Sequence, residues 1–88
     1  MRPGDLVRPR NLNGITEKLA KIYINKKLIP TFGSMSETRA WHHDQIALVV
    51  DAYEHKAGAI HITKVQVILD GHLWWVRAGV LEVIDEAR

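Results

Sequence analysis

The stretch ILDGHLWWVRAGVLEVI, residues 68–84, decides how the chain is read. Asp70-Gly71 between two apolar runs is a strong hairpin signal. Neighbouring residues of a strand point to opposite faces, so Trp74 and Trp75 cannot both enter one core. The hairpin register decides between them. A two-residue loop pairs Leu69 with His72 and Val67 with Trp74, which sets Trp74 among Val65, Val67 and Leu69. A three-residue loop pairs Ile68 with His72 and Val67 with Leu73, which sets Leu73 and Trp75 there instead. The second register separates apolar from polar residues more cleanly and suits a type I turn followed by a left-handed glycine. It predicts Trp75 in the core and Trp74 on the wetter face, with His72. Trp74 is then a candidate exposed anchor of the kind that dominates interfaces. On that reading Trp74→Ala leaves the fold intact and weakens a partner contact. The alternative is partial burial of Trp74 beneath the 25–44 segment, with no binding role.

Working outward, QIALVVDAY (45–53) is the clearest strand, with a continuous apolar centre. EHKAG (54–58) reads as a turn. AIHITKVQVIL (59–69) is a long strand whose apolar parity switches near Thr63–Lys64, predicting a bulge or kink there. RAGV (77–80) suggests one 3₁₀ turn, LEVI (81–84) a last strand, and DEAR a solvated tail. At the other end, PGDLVRP (3–9) reads as a first strand between prolines and NLNG (11–14) as a turn. Ile15, Leu19, Ile22 and Tyr23 in ITEKLAKIY have helical spacing, although KIYIN equally starts a strand. Residues 25–41 have no clean period and read as a long loop. Loops of that length usually carry function or rest on a partner.

The chain has 88 residues, which indicates a single domain, 1–88, with 10–44 as a long connecting segment. So short a chain buries only about 60–65% of its unfolded surface, leaving little room for a deep cleft. Apolar residues make up 47% and charged residues 25%, an ordinary globular balance. There is no cysteine, which removes disulfides and thiolate metal sites. No apolar run approaches the roughly 18–20 residues that span a bilayer. MRPGDLVRPR has no apolar leader core, so neither secretion nor membrane insertion is expected.

Charge is uneven. Residues 1–44 hold eight Lys and Arg against four Asp and Glu, and residues 45–88 hold four against six. The basic half offers Arg8, Arg10, Lys21, Lys26, Lys27 and Arg39 for phosphates, with Trp74, Trp41 or Tyr23 for base stacking. These cations are scattered, whereas a dedicated polyanion binder usually carries a denser patch. In WHHDQ (41–45), His42 and His43 diverge on an extended chain, and a structural zinc site wants about four ligands at wider spacing. His55, His61 and His72 could contribute further ligands from the barrel, but nothing in their spacing demands it. No metal and no cofactor is expected. Ser34 and Ser36 lack spaced His and Asp partners, and no nucleophile elbow, phosphate loop or HExxH occurs, so no enzyme is expected.

Five short strands, a long first connection with room for a short helix, a tight late hairpin and a helical turn before the last strand describe an all-β, small SH3-like barrel. An OB-like barrel or an open α+β sheet are the alternatives. PGDLVR, IALVVDAY and KVQVILDGHLWWVRAGVLEVI resemble a group of small, mostly uncharacterised tailed-bacteriophage proteins, common in cyanophages and other marine phages, with that barrel. The resemblance runs through Gly4, Asp5 and Val7, then Ala47, Val49 and Val50, then Val65, Val67, Asp70 and Gly71, then Trp75, Val76 and Leu81 to Ile84. It covers roughly half the chain, and these are turn and core positions. The Gly-Asp-x-Val start resembles KOW-type barrels more weakly. The resemblance bears on the fold, and the first functional expectation is a non-enzymatic interaction module of a phage, a minor virion or assembly component in the host cytoplasm or the virion. Its partner is a phage structural protein or a second copy, and its expected contacts are Trp74, Trp41, His72, Phe32 and the 25–44 loop. The second expectation is a small nucleic-acid-binding barrel using the basic half.

Overall fold

The structure, a computed structural model, describes residues 1–10, 21–28 and 38–85. Among the described residues it is all-β apart from one 3₁₀ turn. Seven strands run in chain order as β1 (Leu6–Pro9), β2 (Lys21–Asn25), β3 (Thr38–His42), β4 (Ala47–Ala57), β5 (Ile60–Leu69), β6 (His72–Arg77) and β7 (Leu81–Asp85). They form one sheet in the order β3-β2-β6-β5-β4-β1-β7, antiparallel at every pairing and curled into a half-barrel. The 3₁₀ turn, Ala78–Val80, sits where RAGV predicts it.

The hairpin register is the two-residue one, and this corrects the reading of the tryptophans. Leu69 pairs with His72 and Val67 with Trp74. Asp70 (φ 52°) and Gly71 (φ 78°) both have positive φ, the signature of a type I′ turn. That turn twists in the same sense as the strands it joins, and the preference outweighs the tidier polar pattern. Trp74 is consequently buried at 6% exposure, and Trp75 is only half-buried on the opposite face. A Cβ at Gly71 would meet nothing within 4 Å. Gly71→Ala therefore tests backbone conformation alone. We expect it to cost about 1 kcal/mol, read as a lower urea midpoint at unchanged slope.

Other expectations change as well. The described residues form a sheet of seven strands, not about five. The 25–44 segment is not one loop, because Thr38–His42 is a strand paired to β2 along its whole length, from Lys21↔His42 to Asn25↔Thr38. KIYIN is that β2 strand, so the helical alternative ends before Lys21; the remainder of it, 15–20, lies outside the described residues. EHKAG is not a turn: β4 continues through Ala57, and the reversal is Gly58-Ala59, with Gly58 at φ 60° and Ala57 paired with Ile60. The register irregularity falls in β4 between Val49 and Asp51, while β5 runs regularly from Ile60 to Leu69. The parity switch at Thr63–Lys64 marks where β5 leaves the core. Residues 51–61 are exposed on both faces, so they form a two-stranded arm with no inward side to keep apolar.

Val7, Ile24, Trp41, Val49, Val65, Val67, Leu69, Trp74, Val76 and Leu81 fill the inside of the curl. Its two ends are tied by polar contacts. Asp5 is buried and accepts from the Arg2 amide at 3.0 Å, while Gly4 and Val49 amides donate to Val49 and Asp5 carbonyls at 2.8 and 2.9 Å. His43 is buried beyond β3, and its Nδ1 donates to the Pro9 carbonyl of β1 at 2.5 Å. A carbonyl can only accept, so that bond places the proton on Nδ1. The bond joins the end of β3 to the far side of the half-barrel.

Candidate functional site

The residues expected to make contacts separate in the structure. Trp41 is fully buried, with Nε1 donating to the Gln45 carbonyl at 2.8 Å. WHHDQ is therefore a tight reversal: Gln45 also receives the His42 amide on its side-chain oxygen at 3.1 Å and donates its own amide to the His42 carbonyl. No group of three metal-binding side chains occurs among the described residues. Trp74 is buried beneath the Lys26 ammonium, 5.5 Å from the ring centroid. Its indole N–H is buried without a hydrogen-bond partner among the described residues. Burial removes the argument that placed Trp41 and Trp74 at a contact. His72 is exposed at the hairpin, and Phe32 lies outside the described residues.

The basic residues of the N-terminal half also separate. Arg8 pairs with Glu82 across β1 and β7 at 2.5 Å, and Arg10 donates to the Gly79 carbonyl at 3.4 Å. Arg39 pairs with Asp70 at 2.6 Å. Lys26 covers Trp74, and Lys21 lies 5.8 Å from the Tyr23 ring. Lys27 donates its amide to Asn25 Oδ1 at 2.8 Å. Lys21 and Lys27 stay on the β2 side of the sheet, while Arg8 and Arg10 lie at β1.

Two surfaces on the outer face were not singled out by the sequence reading. The first is a row of apolar side chains. Leu6 pairs with Leu48, Leu48 with Ile68, and Ile68 with Leu73, so four strands contribute directly opposed neighbours. Leu48 and Ile68 are each 39% exposed and Leu73 is 47% exposed. Side chains opposed in this way lie within contact distance of one another. The hairpin register creates the row, because a one-residue slip would send Leu73 inward.

The second is an open groove of about 250 Å³ between β2 and β6. These strands pair at Asn25↔Trp75 and separate beyond it. Tyr23 and Lys27 line one side, Trp75 and Arg77 the other, with Lys64 of β5 behind Arg77. Below it, Lys64 Nζ donates to the Leu28 carbonyl at 2.6 Å and fastens residue 28 to β5. Leu28, Tyr53, His55, Ile62 and Lys64 enclose a smaller notch of about 150 Å³ there.

Comparison of the chain with known protein families, with curated proteins and with solved structures found no match. Among the described residues, no helix is long and apolar enough to cross a membrane.

Proposed function

We propose that the chain is a non-enzymatic protein-interaction module, an SH3-like barrel from a bacteriophage, serving as a minor virion or assembly component. The observation that carries the interaction reading is the row Leu6–Leu48–Ile68–Leu73 on the outer face. Contiguous exposed apolar surface of this kind marks contact with another protein. The curled antiparallel sheet and the 3₁₀ turn before β7 support the barrel reading. The resemblance of PGDLVR, IALVVDAY and the 64–84 stretch supports the phage reading, with the host cytoplasm or the virion as its place of action. The partner is a phage structural protein or a second copy of this chain.

The second reading, a nucleic-acid barrel working through Arg8, Arg10, Lys21, Lys26, Lys27 and Arg39, is less favoured at those positions. Arg8 and Arg39 are held by carboxylates and Arg10 by a carbonyl.

A photo-crosslinking residue in place of Ile68 tests the first reading in the cells that naturally make the protein. One discrete protein adduct is expected at position 68 and none from the same residue placed at Lys56 on the arm. Leu48→Gln should lower the yield about fivefold or more, as loss of an interface anchor does. Equal adducts from both positions, or none at 68, would defeat the proposal.

A further inference from the structure

The β2–β6 groove has a chemistry unlike the apolar row. Three cations, Lys27, Lys64 and Arg77, reach it, and no acidic residue lines it among the described residues. Lys64 and Arg77 are direct cross-strand partners. Like charges placed opposite one another on a ladder are destabilising. Carboxylates hold Arg8 and Arg39 elsewhere on the sheet. Arg77, by contrast, makes no ion pair or hydrogen bond among the described residues and is exposed. The chain thus keeps an unneutralised pair of cations at the mouth of a groove.

Two aromatic rings flank that pair. Trp75 lies next to Arg77 on the outer face of β6, and Tyr23 lies opposite on β2, 67% exposed with Lys21 beside its ring. Neither ring is needed to fill the core, which lies on the other face. Because β2 and β6 pair at Asn25↔Trp75 and then separate, both rings stand at an opening between strands. Cations that take phosphates, alternating with aromatic faces that take bases, are the two parts of a single-strand platform. A duplex would satisfy the cations but hides its base faces in the stack. A free phosphate or an acidic peptide would leave the rings unused.

We propose that this groove binds single-stranded nucleic acid, with Trp75 and Tyr23 as stacking platforms and Lys64, Arg77 and Lys27 on the phosphates. The site is separate from the Leu6–Leu48–Ile68–Leu73 row, so the two proposals stand or fall independently.

The test is fluorescence anisotropy of labelled thymidine and uridine oligomers of about 12 nucleotides, with the purified full chain. Matched duplexes and polyglutamate serve as competitors. The single strands should bind at low salt and weaken steeply as salt rises. Trp75→Ala should weaken binding about tenfold or more, the loss of one stacked base. Trp75→Phe, which keeps a ring face, should recover most of that. Arg77→Gln should flatten the slope of log K against log salt by about 0.7, one phosphate contact on a single strand. Lys56→Gln on the arm and Leu48→Gln in the apolar row should change neither. Circular dichroism checks each variant's fold; should Trp75→Ala unfold, Trp75→Phe and Arg77→Gln still decide. The proposal is overturned by no binding at low salt, by duplex or polyglutamate competing as well as the single strand, or by an Arg77→Gln slope equal to that of Lys56→Gln.

Discussion

Trp41→Ala should unfold this protein or bring it close to unfolding, at a cost of about 3–5 kcal/mol. Trp41 is fully buried, and it is the large inward side chain of β3, opposite Ile22. Truncation removes the ring and leaves a cavity where the edge of the sheet curls over the core. It also strands the Gln45 carbonyl, which accepts the indole N–H at 2.8 Å. Small domains hold only about 5–15 kcal/mol in total, and an 88-residue chain sits toward the low end. Urea titration followed by circular dichroism measures the effect. A loss below about 1 kcal/mol would mean that β3 is not docked on the core as described.

Trp74→Ala should cost nearly as much, again about 3–5 kcal/mol, while Trp75→Ala costs about 1 kcal/mol or less. The contrast follows from the register, since Trp74 faces Val67 inside the curl and Trp75 faces Gln66 outside it. Trp74→Phe should be milder than Trp74→Ala. It keeps much of the ring volume and removes an indole N–H that is buried without a partner. Paired urea titrations of the Trp74 and Trp75 variants provide the measurement. If Trp75→Ala were the more damaging, the three-residue hairpin would be the true one.

That contrast also shows what could be read from the sequence. Asp70-Gly71 marks the hairpin, and IALVV, KVQVIL and LEVI mark strands, because apolar runs bounded by turn residues are local signals. The register was not legible, because its choice rested on assuming a polar outer face. That face carries Leu48, Ile68 and Leu73, so polarity could not separate the two pairings, and the positive φ of both turn residues decided it. β3 was missed for a related reason. TRAWH sends one large apolar residue inward, and a single residue has no period. EHKAG (54–58) reads as a turn because a strand exposed on both faces has no alternation to display. The groove had no linear signature at all. Tyr23, Lys64 and Arg77 come from three strands, and only the pairings Asn25↔Trp75 and Lys64↔Arg77 bring them together.

The first strand lies beside the last: β1 pairs with β7 from Leu6↔Asp85 to Pro9↔Leu81. This arrangement governs the order in which the molecule can assemble. The β4–β5 and β5–β6 hairpins close across two-residue turns and can form early. The β1–β7 ladder joins residues 74 positions apart, as in the Arg8–Glu82 pair, and must bear the entropy of closing nearly the whole chain. On a ribosome, β1 emerges well before β7, and one of its edges stays uncovered until β7 has been made. Until then the amino-terminal strand lacks one neighbour, and the pace of folding is set by this distant pairing more than by the hairpins at the centre of the sheet.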